Sequence, residues 1–221
     1  MVTSVITNSI LENCFDLNFC NLPKSINLKE IIPLITEARE LTSKYNCEFN
    51  LCFYNKSKGL STDKYFLKCE HKKCLYCEAE LKNRSSSRVI YENINNFVGN
   101  IHTHPQGDKI YPNGFSPGDW GRFFAGELPM KFGILVSPEK SYLQLKSNES
   151  PTYSAQYING CLFSFKIQEE CFNLLEQKVK QKKLKTITSE IIISMNLRIA
   201  SRYKCGFYEI NEITGIAKNL K

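Results

Sequence analysis

The apolar positions of this chain change period several times, and each change marks an element. In "SINLKEIIPLITEARELTSKYN", Ile31, Ile32, Leu34, Ile35, Ala38 and Leu41 fall on one helical stripe. Pro33 suits the first turn, and Ser25 or Asn27 is expected to cap the helix. The residues then turn β-like: "CEFNLCFYN" and "KYFLKCE", broken by Lys58-Gly59, read as a hairpin. "RVIYENI" and "FVGNIHTH" read as further strands. The loop "PQGDKIYPNGF" carries two Pro and two Gly, which disfavour helix and strand alike. "SPGDWGRFFAGEL" opens a short helix, and "KFGILVS" and "SYLQLKS" are strands joined by the turn "PEK".

Past residue 150 the period lengthens. "CLFSFKIQEECFNLLEQKVKQKKLK" and "TSEIIISMNLRIASRYK" both repeat at helical spacing with basic exposed faces. The expected class is α/β, a mixed central β-sheet flanked by helices, with a C-terminal helical extension. Three segments follow: an irregular N-terminal arm over 1–26, a core domain over 27–150, and a basic helical extension over 151–221. No internal repeat is present.

Composition narrows the class. The chain has 221 residues, 42% of them hydrophobic, with 14 Phe and 11 Tyr, enough for one domain with a substantial core. No run approaches the roughly 20 apolar residues of a membrane span. "MVTSVITNSILENCF" lacks the basic start and long apolar run of a secretory signal, so a cytoplasmic location is expected. In that setting the ten cysteines are expected to be reduced thiols. The net charge is +7, and from Phe172 to Lys221 there are ten Lys or Arg against four Glu. Such a surface can attract nucleic acid or another acidic partner, although its charge is diffuse.

The chemistry concentrates in "NIHTHPQGDKIYPNGFSPGDW". Residues two apart on a strand share a face, so His102 and His104 project together, which is half of a zinc site. A catalytic zinc takes three protein ligands and leaves one position open, and Asp119 is the candidate third. In "SPGD", Ser116 is a good N-cap, Pro117 takes the first helical position, and Asp119 the third. The same four residues also start a helix with no metal involved, since an acid is favoured there by the helix dipole alone.

Taken together, His102, His104, Pro105, Ser116 and Asp119 resemble the His-x-His-Pro and Ser-x-x-Asp signature of the JAMM (MPN-plus) metallopeptidases, over about residues 27 to 147. The resemblance implies an MPN-like, cytidine-deaminase-like fold and one zinc ion held by His102, His104 and Asp119. It also implies an upstream glutamate at the start of a core strand after the first helix. Glu48 stands there, whereas Glu37 and Glu40 are on the helix, and Glu70 and Glu78 flank a cysteine-bearing loop. By that resemblance Glu48 exchanges protons with water and the leaving amine, and Ser116 donates to the oxyanion. The implied reaction is hydrolysis of peptide or isopeptide bonds, with ubiquitin-like modifiers among the substrates to test. Two features depart from the family: eleven residues separate His104 from Ser116, about four more than usual, and Asn50 and Cys52 stand where family members commonly have glycines.

Two other readings carry chemistry. Cys69, His71, Cys74 and Cys77 in "CEHKKCLYC" offer four ligand types for a second zinc, but no second Cys-x-x-Cys accompanies them. The alternative function is a non-catalytic scaffold or a nucleic-acid-associated protein similar to the RadC family, acting through the basic C-terminal helices.

Overall fold

A computed structural model describes residues 5–6, 12–46, 48–56, 59–66, 94–105, 111, 113–158 and 161–221. The expected strand "RVIYENI" before residue 94 and the cysteine-bearing loop lie outside them, as do Glu70, Glu78 and the candidate ligands Cys69, His71, Cys74 and Cys77.

Among the described residues nine strands form one sheet. In chain order they are β1 (Val5–Ile6), β2 (Ser25–Asn27), β3 (Phe49–Lys56), β4 (Gly59–Phe66), β5 (Phe97–Thr103), β6 (Phe132–Val136), β7 (Ser141–Lys146), β10 (Cys205–Asn211) and β11 (Ile216–Asn219). Across the sheet the order is β1-β4-β3-β5-β6-β7-β10-β11-β2. A separate small hairpin joins β8 (Gln156–Ile158) to β9 (Cys161–Phe163). The expected β3–β4 hairpin forms, paired from Phe49↔Phe66 to Lys56↔Gly59, but β4 starts at Gly59, five residues before the expected segment "KYFLKCE", whose last four residues lie outside those described. Of the described neighbours in the large sheet only β5 and β6 are parallel. A parallel pair needs a crossover, and the crossover here carries α2 (Pro117–Phe123), the helix that follows the histidines in sequence.

The sheet has an apolar layer on each side. Against one face lies α1 (Ile32–Tyr45), whose Ile35 and Ala38 join Leu51, Phe53, Ile101, Ile134 and Leu143. Its C-cap Asn46 is left-handed at φ 49°, a conformation asparagine tolerates. Against the other face lie α2, α3 (Phe165–Gln181) and α4 (Ser189–Arg202), with Trp120, Ile167, Ile191, Met195 and Ile199 over Cys52, Leu135 and Phe207. Strand parity sorts the residues: Leu51 and Phe53 face α1, while Cys52 and Tyr54 face α2 to α4.

The sheet corrects the sequence reading at both ends. Ser25 and Asn27 do not cap α1; they belong to β2, and Ile31 occupies the cap position. Residues 151–221 hold two helices but finish in β10 and β11, which pair with β7 and β2. The last segment is therefore not wholly helical, and the sheet continues across residue 150. The arm likewise contributes a strand to each edge of the sheet, β1 beside β4 and β2 beside β11. Cys161–Phe163, read with the helix that follows, is strand β9, and α3 starts at Phe165. No helix among the described residues is long and apolar enough to cross a membrane.

Candidate metal centre

His102 is the next-to-last residue of β5, and His104 follows the strand's end, tied back by its backbone N–H to Val136 O at 3.0 Å. Thr103 between them turns to the α1 side, where its hydroxyl meets that of Thr42 and accepts from the Phe49 N–H at 2.8 Å. The histidines consequently share the opposite face, and their rings sit 5.5 Å apart, edge to face. Both residues are 5% exposed.

Asp119 arrives from the crossover helix. Ser116 caps α2 in an extended conformation: its Oγ accepts from the Asp119 N–H at 3.2 Å, and its own N–H and O–H both donate to Asp119 Oδ2 at 2.8 Å. This reciprocal box fixes the carboxylate's direction. Oδ1 then lies 3.2 Å from His102 Nε2, and Oδ2 lies 3.6 Å from His104 Nε2. Burial opposes ionisation of Asp119, but the facing His102 and His104 outweigh it and hold its carboxyl well below the usual range.

The ring atoms fit a metal ion. His104 Nδ1 is 3.2 Å from Tyr111 O, and a carbonyl can only accept, so Nδ1 carries the proton and Nε2 presents a lone pair. His102 is more telling: both its ring nitrogens are buried, and among the described residues neither meets an aligned hydrogen-bond partner, Nε2 only facing the Asp119 carboxylate. Unpaired buried polar atoms are costly. One ligand atom from each of the three residues falls within 4.8 Å of the others. Two ligands about 2.0–2.1 Å from zinc at a tetrahedral angle stand about 3.3 Å apart, and the observed 3.2 and 3.6 Å bracket that spacing. His102, His104 and Asp119 thus form a buried cluster able to hold a divalent metal ion.

Glu48 lies at the entrance to β3, and register brings it to the cluster. Asn50 pairs with His102 and Leu51 with Ile101, so continuing the antiparallel count sets Glu48 opposite His104. Parity also gives it the face of Cys52 and Tyr54, the face of the histidines. The electrostatics agree: burial pushes the Glu48 carboxyl up, against the pull of His104, His102 and Arg122, and Asp119 adds to the rise. Glu37 and Glu40 remain on α1, across the sheet.

Several residues around the centre escaped the sequence reading. Asn100 Nδ2 donates to Asn50 Oδ1 at 3.2 Å on the histidine face, where strand parity alone could have placed them. Asn113 accepts from Ser137 Oγ at 2.8 Å and donates to Glu139 and Ser189. Asn196 is fully buried within the apolar stripe of α4, and that one polar interruption was the available signal. A cavity of about 170 Å³ abuts His104 from the α1 side, with Thr42, Thr103 and Ser137 in its wall.

Comparison with protein-family models, with curated proteins and with solved structures finds no match to this chain.

Proposed function

We propose that this protein is a zinc-dependent hydrolase of the JAMM type, cleaving peptide or isopeptide bonds. The observation that carries the reading is His102, a buried imidazole whose nitrogens meet no aligned hydrogen-bond partner among the described residues and whose Nε2 faces the Asp119 carboxylate, with His104, at ligand spacing. His102, His104 and Asp119 would hold the ion, and three protein ligands leave a position open, as in catalytic sites. Zinc so bound supplies a Lewis acid that brings the pKa of water to about 7.

The other groups then have work suited to their positions. Glu48, opposite His104 and raised by burial, takes a proton from the attacking water and returns it to the leaving amine. Ser116 would donate to the developing oxyanion. Its single hydroxyl proton now points at Asp119 Oδ2, so that role requires the hydroxyl to turn from the carboxylate to the substrate. A chain bearing a ubiquitin-like modifier is the substrate class the resemblance favours.

The test starts with metal content. Purified protein is expected to carry about one zinc per chain, His102→Ala to carry almost none, and Glu48→Gln to keep it while losing hydrolysis of isopeptide-linked conjugates. Metal-free wild-type protein with no affinity for added zinc would sink the reading.

A second reading has one observation in its favour. Lys178, Lys180, Lys182, Lys183 and Lys185 crowd the end of α3 and the turn after it, and only Lys180 and Lys182 have acidic partners among the described residues, Glu176 and Glu190. This surface could hold nucleic acid. Reversing Lys182, Lys183 and Lys185 to Glu tests it: duplex DNA affinity that falls with salt and vanishes in the variant supports a nucleic-acid role.

A further inference from the structure

We propose that Asn196, on the C-terminal helix α4, is a positioning residue for the metal centre: it holds the Ser116–Asp119 segment where Asp119 can meet both histidines. The proposal rests on the metal-site reading above, and deepens it by assigning part of the site to a helix far along the chain.

The buried side of α4 is otherwise Ile191, Ile192, Met195, Ile199 and Ala200. An amide among them must find partners, and Asn196 uses its full hydrogen-bonding capacity. Its Oδ1 accepts from the Phe115 N–H at 3.2 Å and the Trp120 indole N–H at 3.0 Å. Its Nδ2 donates to Phe115 O at 3.1 Å and Ile192 O at 2.7 Å. Three of these four bonds go to Phe115 and Trp120, the residues immediately before Ser116 and immediately after Asp119. One side chain therefore brackets the capping box. No apolar replacement could serve, because both backbone groups of Phe115 and the indole N–H would lose their partner.

The neighbouring contacts agree. Gly114 has φ 126°, and a Cβ there would lie 2.7 Å from Ile192 Cγ2 and 3.2 Å from Asn196 Nδ2. The chain passes α4 at a distance and in a conformation that only glycine allows. Nearer the start of α4, Ser189 Oγ accepts from Asn113 Nδ2 at 3.2 Å. The segment from 113 to 120 is thus gripped from successive turns of α4. Phe115 transmits any slip to the centre directly, since its ring is 5.9 Å from that of His102.

The experiment compares the full-length wild type with Asn196→Ala, and with Ile199→Ala as a control for destabilising α4. Two readouts are taken: hydrogen exchange at the Phe115 and Asp119 amides and the Trp120 indole in metal-free protein, and cobalt(II) affinity from its visible absorption. Asn196→Ala is expected to lose protection at those three sites while β5 keeps its own, and to weaken cobalt binding by about tenfold or more. Ile199→Ala lowers the melting temperature and leaves both readouts near wild type. Should Asn196→Ala not fold, Asn196→Asp keeps both acceptor bonds and loses the donations to Phe115 O and Ile192 O; it is expected to retain Trp120 protection with intermediate cobalt affinity. Unchanged protection, or a cobalt affinity no weaker than the control's, overturns the proposal. If wild type takes up no cobalt while Asn196→Ala loses protection, the metal reading fails and the positioning of the box by Asn196 stands.

Discussion

The two faces of the sheet are built from the same strands but on different terms. Toward α1 the strands present Leu51, Phe53, Ile101, Phe132, Ile134, Val136, Leu143 and Leu145; the buried Thr42 and Thr103 hydroxyls pair with each other, and at the rim Arg39 reaches Ser137 O, Ser141 and Glu212. Toward α2, α3 and α4 the same strands bury Asn50, Asn100, His102, Gln144 and Lys146 beside Cys52 and Tyr142. Burying those groups costs stability unless each is paired. Both faces carry an apolar core, but the second also gives up part of its stability to hold charged and polar groups in place. A change on the first face should therefore register in stability, and a change near the histidines in metal binding and chemistry.

The largest expected effect is on the apolar face. Phe132 is fully buried, its ring 5.2 Å from Phe53 and 5.9 Å from Phe15, in space that Gly99 leaves open. Phe132→Ala should lower unfolding free energy by about 3–5 kcal/mol in urea titration, while the folded fraction keeps its zinc stoichiometry. Loss of zinc at full folding would break the division between faces. On the other face, Glu48→Gln should cut hydrolysis by about 100-fold or more with the urea midpoint and metal content near wild type.

Lys146 sharpens the comparison through pH. It is 7% exposed, its Nζ is 5.1 Å from the Phe123 ring centre, and burial lowers its pKa to about 8, with no nearby carboxylate among the causes. Between about pH 8 and 10.5 the unfolded chain binds more protons at this site than the folded one, so stability contributed here rises with pH across that window and is lost below it. The difference is on the order of 1–3 kcal/mol. Urea unfolding at pH 7.5 and 10 should show the gain in wild type and its absence in Lys146→Met. An identical pH dependence in both proteins would show that Lys146 carries no such penalty.

What could be read from the sequence was local. The β3–β4 hairpin, β5 with its histidines, and the Ser116–Asp119 box each depend on residues within a few positions of one another, and each forms, although β4 starts five residues ahead of its expected segment. Glu48 was reachable by parity, since Cys52 and Tyr54 on its strand face the histidine side. The failures were at long range. "SIN" reads as a cap because its strand partner, Lys218 to Ile216, comes some 190 residues later. The strands in "CGFYEINEITGIAKN" carry β-type residues and a turn at Gly215, yet following two helices they read as their tail. Asn196 is the clearest case: helical spacing marked its stripe as core, and only the fold reveals that its amide serves a loop 81 residues away.

The smallest effect concerns Ser116, where the structural and chemical roles of one hydroxyl can be separated. Its Oγ caps α2 and also donates to Asp119 Oδ2. Ser116→Ala removes both contacts but leaves the Ser116 backbone N–H on Oδ2 at 2.8 Å, so the carboxylate keeps part of its anchor. Loss of the cap should cost about 1 kcal/mol, measured in urea, and zinc stoichiometry should remain close to one. Ser116→Thr restores a hydroxyl and, with it, most of that stability. If hydrolysis falls far more in Ser116→Ala than the lost stability accounts for, and returns in Ser116→Thr, the hydroxyl acts on the substrate as well as on the helix. If activity follows stability alone, Ser116 belongs with the scaffold, and the boundary between the two terms of construction runs through the capping box itself.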